Sequence, residues 1–360
     1  MIFGGDIACP TEDLSNNLSN IFNAYKPIFY GKQKFFNLEG MVTDNLSLET
    51  NSPILFNHSS VLNVLKANDT VGVGLANNHT LDLPECFDNT RKLLNSNGIL
   101  FSGAGPDINE SYNIIEFKED GVDVAIFNYC WSFLLYHQKN PSKGIYVAEI
   151  NERDILNKVG NYIGKNPNRK VIIYLHWSFD LEILPFPMYR QFARDLIDLG
   201  VNAVIGCHSH CAQGGEKYKN GYIVYGLGNF FFPNNVFVNK TFYFPDFSRV
   251  EMIFELNFKS NEASCHWFKY ENTLEHHRLQ HLESGKFESS QLLLKYSPFT
   301  GMSDKQYIKY FRKNRRKRLL IPVYVNYKNV YANNISTYFL KLRGLTARFL
   351  AKRKLIKWQN

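Results

Sequence analysis

The sequence predicts an α/β protein in which helices cover a layered sheet structure. Within the first 230 residues, short apolar runs alternate with segments of helical spacing. The apolar runs are nearly continuous, as expected for strands that are buried on both faces. Two further pairs of runs, each joined by a short polar turn, indicate antiparallel strands added to this core. Alternation of strands and helices is typical of a layered α/β domain.

The individual elements follow in chain order. Strands are predicted at residues 35–38, 71–76, 171–175, 203–205 and 223–225, because these runs are short and rich in β-branched or aromatic residues. Helices are predicted at residues 59–67, 84–97, 150–164 and 187–199. Pro84 and Pro187 stand where a first helical turn tolerates proline. Hairpins are predicted from residues 112–117 with 122–129, and from 249–258 with 263–270.

Charge divides the chain into two parts. The formal net charge is +8, from 41 Lys and Arg against 33 Asp and Glu. Residues 301–360 hold 16 basic residues and one acid, Asp304, which leaves 25 basic and 32 acidic residues before them. The body therefore carries −7 and the tail +15. We predict a domain over residues 1–290 and a basic, partly amphipathic helical extension over residues 291–360.

The basic tail has two notable stretches. Residues 313–318 contain five bases, and residues 335–356 have apolar residues at 335, 338, 339, 342, 345, 349 and 350. This is helical spacing, and a basic amphipathic helix is typical of a membrane-surface element. We therefore expect residues 301–360 to bind an anionic membrane surface; the alternative is a helix packed against the acidic body. No specific nucleic-acid partner is expected, because no base-reading fold accompanies the charge.

Composition also limits the cellular context. No window approaches 18 consecutive apolar residues, so we expect no transmembrane helix. The start, Met-Ile-Phe-Gly-Gly-Asp, lacks the basic residues and the long apolar run of a secretory signal. The six cysteines are scattered and form no CxxC pair, which favours reduced thiols. We expect a cytoplasmic protein with a peripheral position on the inner membrane face.

Five short segments place metal-ligand residue types at the ends of apolar runs. They are Gly-Asp at 5–6, Asn-Leu-Glu-Gly at 37–40, Ala-Asn-Asn-His at 76–79, His-Trp at 176–177 and Gly-Cys-His-Ser-His at 206–210. Binding sites in open α/β sheets lie beyond the carboxyl ends of strands, so these segments can converge on one crevice. Carboxylate, amide and imidazole ligands suit a divalent cation such as Mn, Fe or Zn, whereas a structural zinc site would favour thiolates.

Taken in order, these motifs resemble the CapA family, the bacterial poly-γ-glutamate and capsule synthesis proteins of the calcineurin-like metallophosphoesterase superfamily. The resemblance also includes Leu-Ala-Asn-Asn-His-Thr-Leu-Asp at 75–82, Gly-Ala-Gly at 103–105 and Tyr-Gly-Leu-Gly-Asn-Phe at 225–230. It covers roughly residues 1–260, and residues 290–360 have no counterpart in it. It implies a layered α-β-β-α sandwich of the metallophosphoesterase type.

The resemblance also implies roles for individual residues, with one or two divalent ions (Mn, Fe or Zn) at the centre. The metal-ligand positions are matched by Asp6, Glu39, Asn78, His176, His208 and His210. Glu39 stands where the superfamily places a bridging carboxylate, and His79 matches the general-acid position. Asp82 is expected to orient His79, and Asp180 and Asn229 are expected to contact substrate.

Several positions depart from the pattern or leave alternatives open. The wider superfamily begins with Asp-x-His, but Asp6 is followed here by Ile-Ala, so a mononuclear site is an alternative. Asp180 replaces the family's Glu on a shorter arm. Asp82 could instead be a helix N-cap ahead of Pro84, and Asn229 could hold a loop closed. The aromatic run 229–247 is either a substrate lid or a packed loop.

Together with the residues, the resemblance implies a metal-dependent hydrolase-like protein of capsule or surface-polymer biosynthesis that acts on a phosphoester, with an amide or another acyl bond as the alternative. The polymer is poly-γ-glutamate or a polysaccharide, and polymer-synthesis proteins are the expected partners. The alternative is a non-catalytic, metal-stabilised assembly factor that docks the synthesis machinery at the membrane.

Overall fold

The structure is a computed structural model that describes residues 1–45, 53–135, 144–272, 277–316 and 322–353. Its strands are β1 Ile2–Ile7, β2 Lys34–Leu38, β3 Met41–Val42, β4 Phe56–Asn57, β5 Thr70–Gly74, β6 Leu100–Ser102, β7 Ala104–Gly105, β8 Ile115–Glu119, β9 Val122–Cys130, β10 Tyr146–Val147, β11 Lys170–His176, β12 Ala203–Cys207, β13 Ala212–Tyr218, β14 Gly221–Leu227, β15 Asn229–Phe231, β16 Val250–Asn257, β17 Glu262–Asn272 and β18 His277–Lys286. Its helices are α1 Glu12–Ala24, α2 Lys26–Phe29, α3 Ser60–Ala67, α4 Phe87–Ser96, α5 Ile108–Ser111, α6 Ser132–Leu135, α7 Glu152–Lys165, α8 Pro187–Asp198, α9 Gln291–Tyr296, α10 Asp304–Asn314 and α11 Val330–Lys352.

Two large sheets form the body. The first has eight strands in the order β18-β17-β16-β1-β2-β5-β6, with β15 also paired to β1. The second has six strands in the order β13-β14-β12-β11-β9-β8. The centre of each sheet is parallel, from β1 through β6 in the first and from β9 through β14 in the second. Antiparallel strands extend the edges, including both predicted hairpins.

The two sheets pack face to face, and helices cover their outer faces. Phe3 and Phe35 of the first sheet share a buried cluster with Ile172 and Val224 of the second. The opposite face of the first sheet packs against α1, α3 and α4, and that of the second packs against α7 and α8. The predicted α-β-β-α sandwich is therefore confirmed, and its strands are buried on both faces as their continuous apolar runs indicated.

Several helices in this fold begin with a side-chain cap or a proline. Thr11 precedes α1 and its side chain accepts the backbone N–H of Leu14 at 3.3 Å. Pro187 occupies the first turn of α8, as predicted. At α10, Ser303 and Gln306 form a reciprocal capping box. These local interactions satisfy backbone N–H groups that have no partner within the first helical turn.

Two predicted elements differ from the observed ones at an end where a 3₁₀ turn forms. The strand predicted at 71–76 is β5, which ends at Gly74 because Asn77 starts a 3₁₀ turn over Asn78–Leu81. The helix predicted at 84–97 begins as a 3₁₀ turn over Pro84–Cys86 and becomes α-helical only from Phe87.

The C-terminal segment packs on the body. Phe299, Tyr307, Phe311, Tyr324, Tyr327 and Leu340 all lie in the buried cluster beneath α8. The buried Arg190 of α8 pairs with Glu216 at 3.1 and 3.2 Å and donates to the carbonyl oxygens of Phe299 and Met302 at 3.3 and 3.0 Å. Arg190 therefore joins the chain after residue 290 to the second sheet, while the predicted division at that residue stays a prediction.

Helix α11 contacts the body through one face and exposes another. Leu340 is buried, whereas Tyr331, Ile335, Tyr338, Leu342, Leu345 and Phe349 are exposed. These six residues, which we call the α11 seam, are spaced in steps of four and three and therefore form one stripe. The apolar face predicted from the spacing thus lies on a helix but does not pack against the body. Residues 317–318 of the predicted basic block and 354–356 of the predicted helix lie outside the described residues.

Within the described part of the chain, no helix combines the length and the apolar character needed to cross a membrane.

Candidate metal centre

The candidate site lies at the end of the sandwich where strands of both sheets finish. Asp6 is in β1 and Glu39 follows β2 by one residue, both from the first sheet. His176 ends β11 and His208 follows β12, both from the second sheet. All four side chains are buried. The packing of the two sheets therefore brings two carboxyl groups to two imidazoles.

Asn37 lies at the centre of this group. Its Nδ2 is 2.8 Å from Asp6 Oδ1, 3.4 Å from Glu39 Oε1 and 3.4 Å from His176 Nδ1. Its Oδ1 accepts a hydrogen bond from Asn77 Nδ2 at 3.3 Å. Asn37 belongs to the Asn-Leu-Glu-Gly motif, but no role was predicted for it; the signal that could have indicated one is an amide within an otherwise apolar strand.

A 3₁₀ turn after β5 supplies Asn78. Asn77 caps this turn, because its Oδ1 accepts the backbone N–H of Thr80 at 3.0 Å. The cap points Asn78 toward the second sheet, where its Oδ1 lies 2.7 Å from His176 Nε2. An amide from the first half of the fold thus meets an imidazole from the second.

His79 is held by a carboxylate on the same turn. Its Nδ1 lies 2.7 Å from Asp82 Oδ2, and its Nε2 lies 3.8 Å from Glu39 Oε2. Asp82 Oδ2 also accepts the backbone N–H of Leu55 at 2.9 Å. The 3₁₀ turn that follows has Leu83 at its N-cap without a side-chain hydrogen bond, so Asp82 orients His79 rather than capping that turn.

The loop after β12 carries two histidines in the left-handed region of backbone space. His208 has φ of 85° and His210 has φ of 51°. Such conformations cost about 1–3 kcal/mol each for residues other than glycine and persist only where the surroundings fix them. Here Asp6 contributes, because its Oδ2 accepts the backbone N–H of His208 at 3.2 Å. The carboxylate of β1 therefore helps to set the direction of both imidazoles.

The two histidine side chains have different neighbours. His208 Nε2 lies 3.0 Å from Asp180 Oδ1, at ion-pair distance. His210 Nδ1 lies 2.8 Å from Asn229 Oδ1 and 3.5 Å from Asp6 Oδ2. Asp180 thus stands beside one imidazole, and the amide of Asn229 orients the other.

Burial dominates the electrostatics of the site. It raises the pKa of Glu39 well above its usual value, and the charges of Asp6 and Asp180 raise it further. Burial likewise raises the pKa of Asp6, although the charge of His210 opposes this shift. The pKa of His176 is lowered well below 6.5, by burial and then by His208 and other imidazoles. The buried surroundings therefore disfavour the charged forms of these carboxyl groups, and a nearby cation would favour them.

The donor set fits a divalent metal ion. Among the described residues, Glu39 Oε2 and His208 Nδ1 are buried without a hydrogen-bond partner, whereas His208 Nε2 lies 3.0 Å from the Asp180 carboxylate. Unpaired buried polar atoms are costly, and a cation would satisfy atoms of these types. Two sets of ligand atoms could each hold a metal ion, because the atoms within each set lie within 4.8 Å of one another. One set comes from Asp6, His176 and Cys207, and the other comes from Glu39, His208 and His210. Two adjacent sets leave room for one or two ions.

An aromatic loop covers the imidazoles. Phe232 and Phe244 lie 5.0 and 5.2 Å from the His210 ring, and Phe237 lies 5.4 Å from the His79 ring, between centroids. The run 229–247 is therefore a packed loop over the site.

The structure brings all the predicted site residues to this one end of the sandwich, while their individual roles stay predictions. They are Asp6, Glu39, Asn78, His79, Asp82, Asp180, His176, His208, His210 and Asn229.

Comparison with known proteins gives a family match over most of the chain. Residues 1–234 match the model of the family described as "Bacterial capsule synthesis protein PGA_cap". The chain is 27% identical over 168 residues to "Capsule biosynthesis protein CapA" of Bacillus anthracis, covering 44% of this chain and 39% of that one. It is 26% identical over 219 residues to "PGA biosynthesis protein CapA" of Bacillus subtilis (strain 168), covering 59% of this chain and 57% of that one. It thus spans well under two thirds of either relative.

Solved structures with related folds were also found. The calcineurin-like phosphoesterase YfkN from Bacillus subtilis aligns with a TM-score of 0.40 and 12% identity, covering 86% of this chain and 98% of that one. A putative 5′-nucleotidase from Staphylococcus aureus aligns with a TM-score of 0.41 and 10% identity, covering 80% of this chain and 54% of that one.

Proposed function

This chain belongs to the PGA_cap family of bacterial capsule synthesis proteins, and we propose that it is a metal-dependent phosphoester hydrolase of capsule or surface-polymer biosynthesis. The observation that carries this proposal is the buried cluster of carboxylates, amides and imidazoles from both sheets, in which Glu39 Oε2 and His208 Nδ1 lack hydrogen-bond partners among the described residues. Such sets hold divalent metals in hydrolytic sites.

The metal would be held by the six predicted ligands, with Mn, Fe or Zn as the candidate ions. The ligands are Asp6, Glu39, Asn78, His176, His208 and His210. A bound divalent cation would supply Lewis-acid polarisation of a phosphoryl oxygen. Asn37 and Asn229 would keep the ligands oriented through the hydrogen bonds described above, as residues around metal ligands commonly do.

His79 would act as the general acid. Its Nδ1 is held by Asp82 at 2.7 Å, which leaves Nε2 facing the site, 3.8 Å from Glu39 Oε2. Donation of a proton from Nε2 to the leaving-group oxygen is the role that this orientation suits. Asp180 lies beside His208 and is partly exposed, so it stands where substrate would enter.

The decisive experiment compares His79→Gln with the wild type. Purified protein supplied with Mn²⁺ is assayed for hydrolysis of bis(4-nitrophenyl) phosphate, and bound metal is measured by elemental analysis. Loss of a general acid lowers turnover by about 10²–10⁴-fold, while metal content should be unchanged. His281→Gln, in exposed strand β18, is the matched control. Wild-type protein that binds metal and shows no hydrolysis would contradict the proposal.

The polymer and the partners are proposed from the family alone. The matched relatives are named for capsule and PGA biosynthesis, and poly-γ-glutamate or a polysaccharide is the corresponding product here. Polymer-synthesis proteins are the proposed partners. The second candidate is a non-catalytic assembly factor in which metal only stabilises the fold; it predicts that His79→Gln changes nothing measurable in polymer production.

We further propose that the protein acts peripherally at the inner face of the membrane, through α11. The α11 seam presents six exposed apolar or aromatic side chains on one stripe. Interfacial helices bury such a stripe at the boundary between headgroups and acyl chains. Helix α11 packs on the body through Leu340, and the α11 seam stays exposed to solvent.

Charge favours an anionic bilayer over a second copy of the helix. The sequence of α11 contains four basic residues, Lys341, Arg343, Arg348 and Lys352, and no acid. Pairing two such helices would bring like charges together without compensating carboxylates. Each basic residue near an anionic leaflet contributes about 1 kcal/mol to binding. The same charges therefore oppose self-association and support attachment to lipid.

A further inference from the structure

The loop that covers the site carries a lysine, Lys240, at its tip. The base of the loop is closed by Asn235, whose backbone N–H donates to the Phe242 carbonyl at 2.9 Å and whose Oδ1 accepts the Phe242 N–H at 3.0 Å. Val238 forms a β-bridge with Ile54, through hydrogen bonds of 2.9 and 3.3 Å. These contacts hold the backbone on both sides of Lys240.

The ammonium group of Lys240 lies close to two aromatic rings. Its Nζ lies 5.4 Å from the centroid of Phe237 and 5.3 Å from that of Phe242. Both distances are within the range of a cation–π contact. Phe237 in turn lies 5.4 Å from the ring of His79. One aromatic ring therefore separates Lys240 from the proposed general acid.

Lys240 lacks a carboxylate partner at close range. Within the described part of the chain, no acidic oxygen lies within 4.0 Å of its Nζ, although the side chain is half-buried. Burial lowers the pKa of Lys240, and the charge of Asp180 opposes that shift only in part. A half-buried cation that has aromatic rings but no carboxylate at close range gains from binding an anion.

We propose that Lys240 binds an oxyanion carried by the leaving group of the substrate. The inference rests on the proposed hydrolase function, since the leaving group lies on the side of His79, which would protonate it. The substrate class is then a phosphoester whose leaving group bears a carboxylate or a phosphate. An ammonium is a compact point charge, so Lys240 selects for negative charge rather than for the shape of one oxyanion.

The test compares three chromogenic esters in the presence of Mn²⁺. They are methyl 4-nitrophenyl phosphate, its analogue with a carboxylate on the nitrophenyl ring, and its analogue with a phosphonate on that ring. Wild-type protein should favour the charged leaving groups in kcat/KM by about ten- to a hundredfold, as expected for a charge-assisted hydrogen bond. Lys240→Gln should lose this preference, mainly through KM, and Lys240→Arg should retain part of it.

Lys66→Gln is the matched control, because Lys66 is an exposed lysine in the last turn of α3. It should keep the full preference. Equal kcat/KM for neutral and charged esters in the wild type would overturn the role of Lys240 while leaving the hydrolase intact, as would a preference that survives in Lys240→Gln. A preference for the carboxylate without one for the phosphonate, or the reverse, would contradict selection by charge alone.

Calorimetry separates the two proposals if no ester is hydrolysed. In that case the hydrolase function fails, but binding of the carboxylated ester can still be measured. At least tenfold tighter binding to the wild type than to Lys240→Gln would support the anion site. Equal binding to both proteins would overturn it.

Discussion

Attachment through α11 can be tested by changing two residues on its exposed side. Phe349 belongs to the α11 seam and Phe339 lies next to it, and both are exposed in the structure. Replacing both by Ser keeps the basic residues and removes two of the four exposed aromatic side chains of α11. Substitution is preferable to deletion of the tail, because Tyr307, Phe311 and Leu340 contribute to the buried cluster beneath α8.

The size of the effect follows from the exposure of the two rings. Phe339 is 61% exposed and Phe349 is 53% exposed. Full burial of a phenylalanine side chain is worth about 1.5–3 kcal/mol, so covering the exposed parts of both rings with lipid is worth about 2–3 kcal/mol in total. Losing that amount weakens the partition constant by roughly 30- to 150-fold. The folded state should be unaffected, because neither ring is buried against the body.

Flotation on vesicles measures this change. Full-length protein is mixed with vesicles rich in phosphatidylglycerol or made of phosphatidylcholine alone. The wild type should float with the anionic vesicles, and added salt should reduce the binding without abolishing it, because screening affects only the electrostatic part. Tyr30→Ser with Ile108→Ser is the control, since these side chains are 81% and 61% exposed on the body.

Two results would refute the reasoning. The wild type and the Phe339/Phe349 variant could float equally, or the wild type could fail to float on anionic vesicles. If the wild type instead forms a dimer that the same substitutions dissociate, the α11 seam is a surface for self-association.

Three further predictions concern the site and the core. Asp82→Asn should lower metal-dependent turnover by about 10- to 100-fold with little loss of stability, and unchanged kinetics would argue against an orienting role. Asp82→Ala should in addition lower the free energy of unfolding in denaturant by about 1–3 kcal/mol, because the Leu55 N–H loses its acceptor. Elemental analysis should find no metal in the double variant His208→Ala, His210→Ala, and full metal content there would place the site elsewhere. In the wild type, metal occupancy should fall at low pH because protons compete for the imidazoles. This fall should begin only below the usual imidazole pKa of about 6.5, because burial lowers the pKa of His210. Glu251 in β16 is buried with both carboxyl oxygens unpaired among the described residues, and burial raises its pKa well above 4.5, so the stability that its protonated form contributes is present at low pH and is lost as pH rises through the folded-state pKa. In thermal or urea unfolding between pH 5 and pH 8, the free energy of unfolding of Glu251→Gln should therefore rise relative to the wild type by up to about 1.4 kcal/mol per pH unit. Parallel curves for the two proteins would show that Glu251 is already ionised.

The fold was predictable from sequence where the signal is local. A continuous apolar run followed by a polar ligand type marks the end of a buried strand, and this pattern located β2, β11 and β12 without knowledge of their neighbours. Helix α1 was not predicted, because its sequence is rich in Asn and Ser, which have weak helix propensity. Its stability comes from the Thr11 cap and from burial of Leu18, Ile21 and Phe22, and that burial depends on the first sheet.

The site was predictable residue by residue but not in its connections. The bridging position of Asn37 depends on the register in which it pairs with Asp6 across β1 and β2, and cross-strand register is not encoded in either segment alone. The same limit applies to Lys240, whose place near His79 depends on the bridge between Val238 and Ile54. In the tail, spacing located the apolar stripe of α11, but only the packing of Leu340 shows which face the body covers.

The C-terminal segment and the site are joined by one carboxylate. Glu182 Oε1 accepts the backbone N–H of Arg316 at 3.1 Å, and Glu182 lies two residues from Asp180, which contacts His208. Binding at the tail and binding at the site are therefore linked thermodynamically if both change the position of the loop that holds Asp180 and Glu182. If lipid binding by α11 changes the affinity for metal by some factor, metal loading must change the affinity for lipid by the same factor. Vesicle binding measured with and without Mn²⁺ would thus report on metal loading of the site without a substrate.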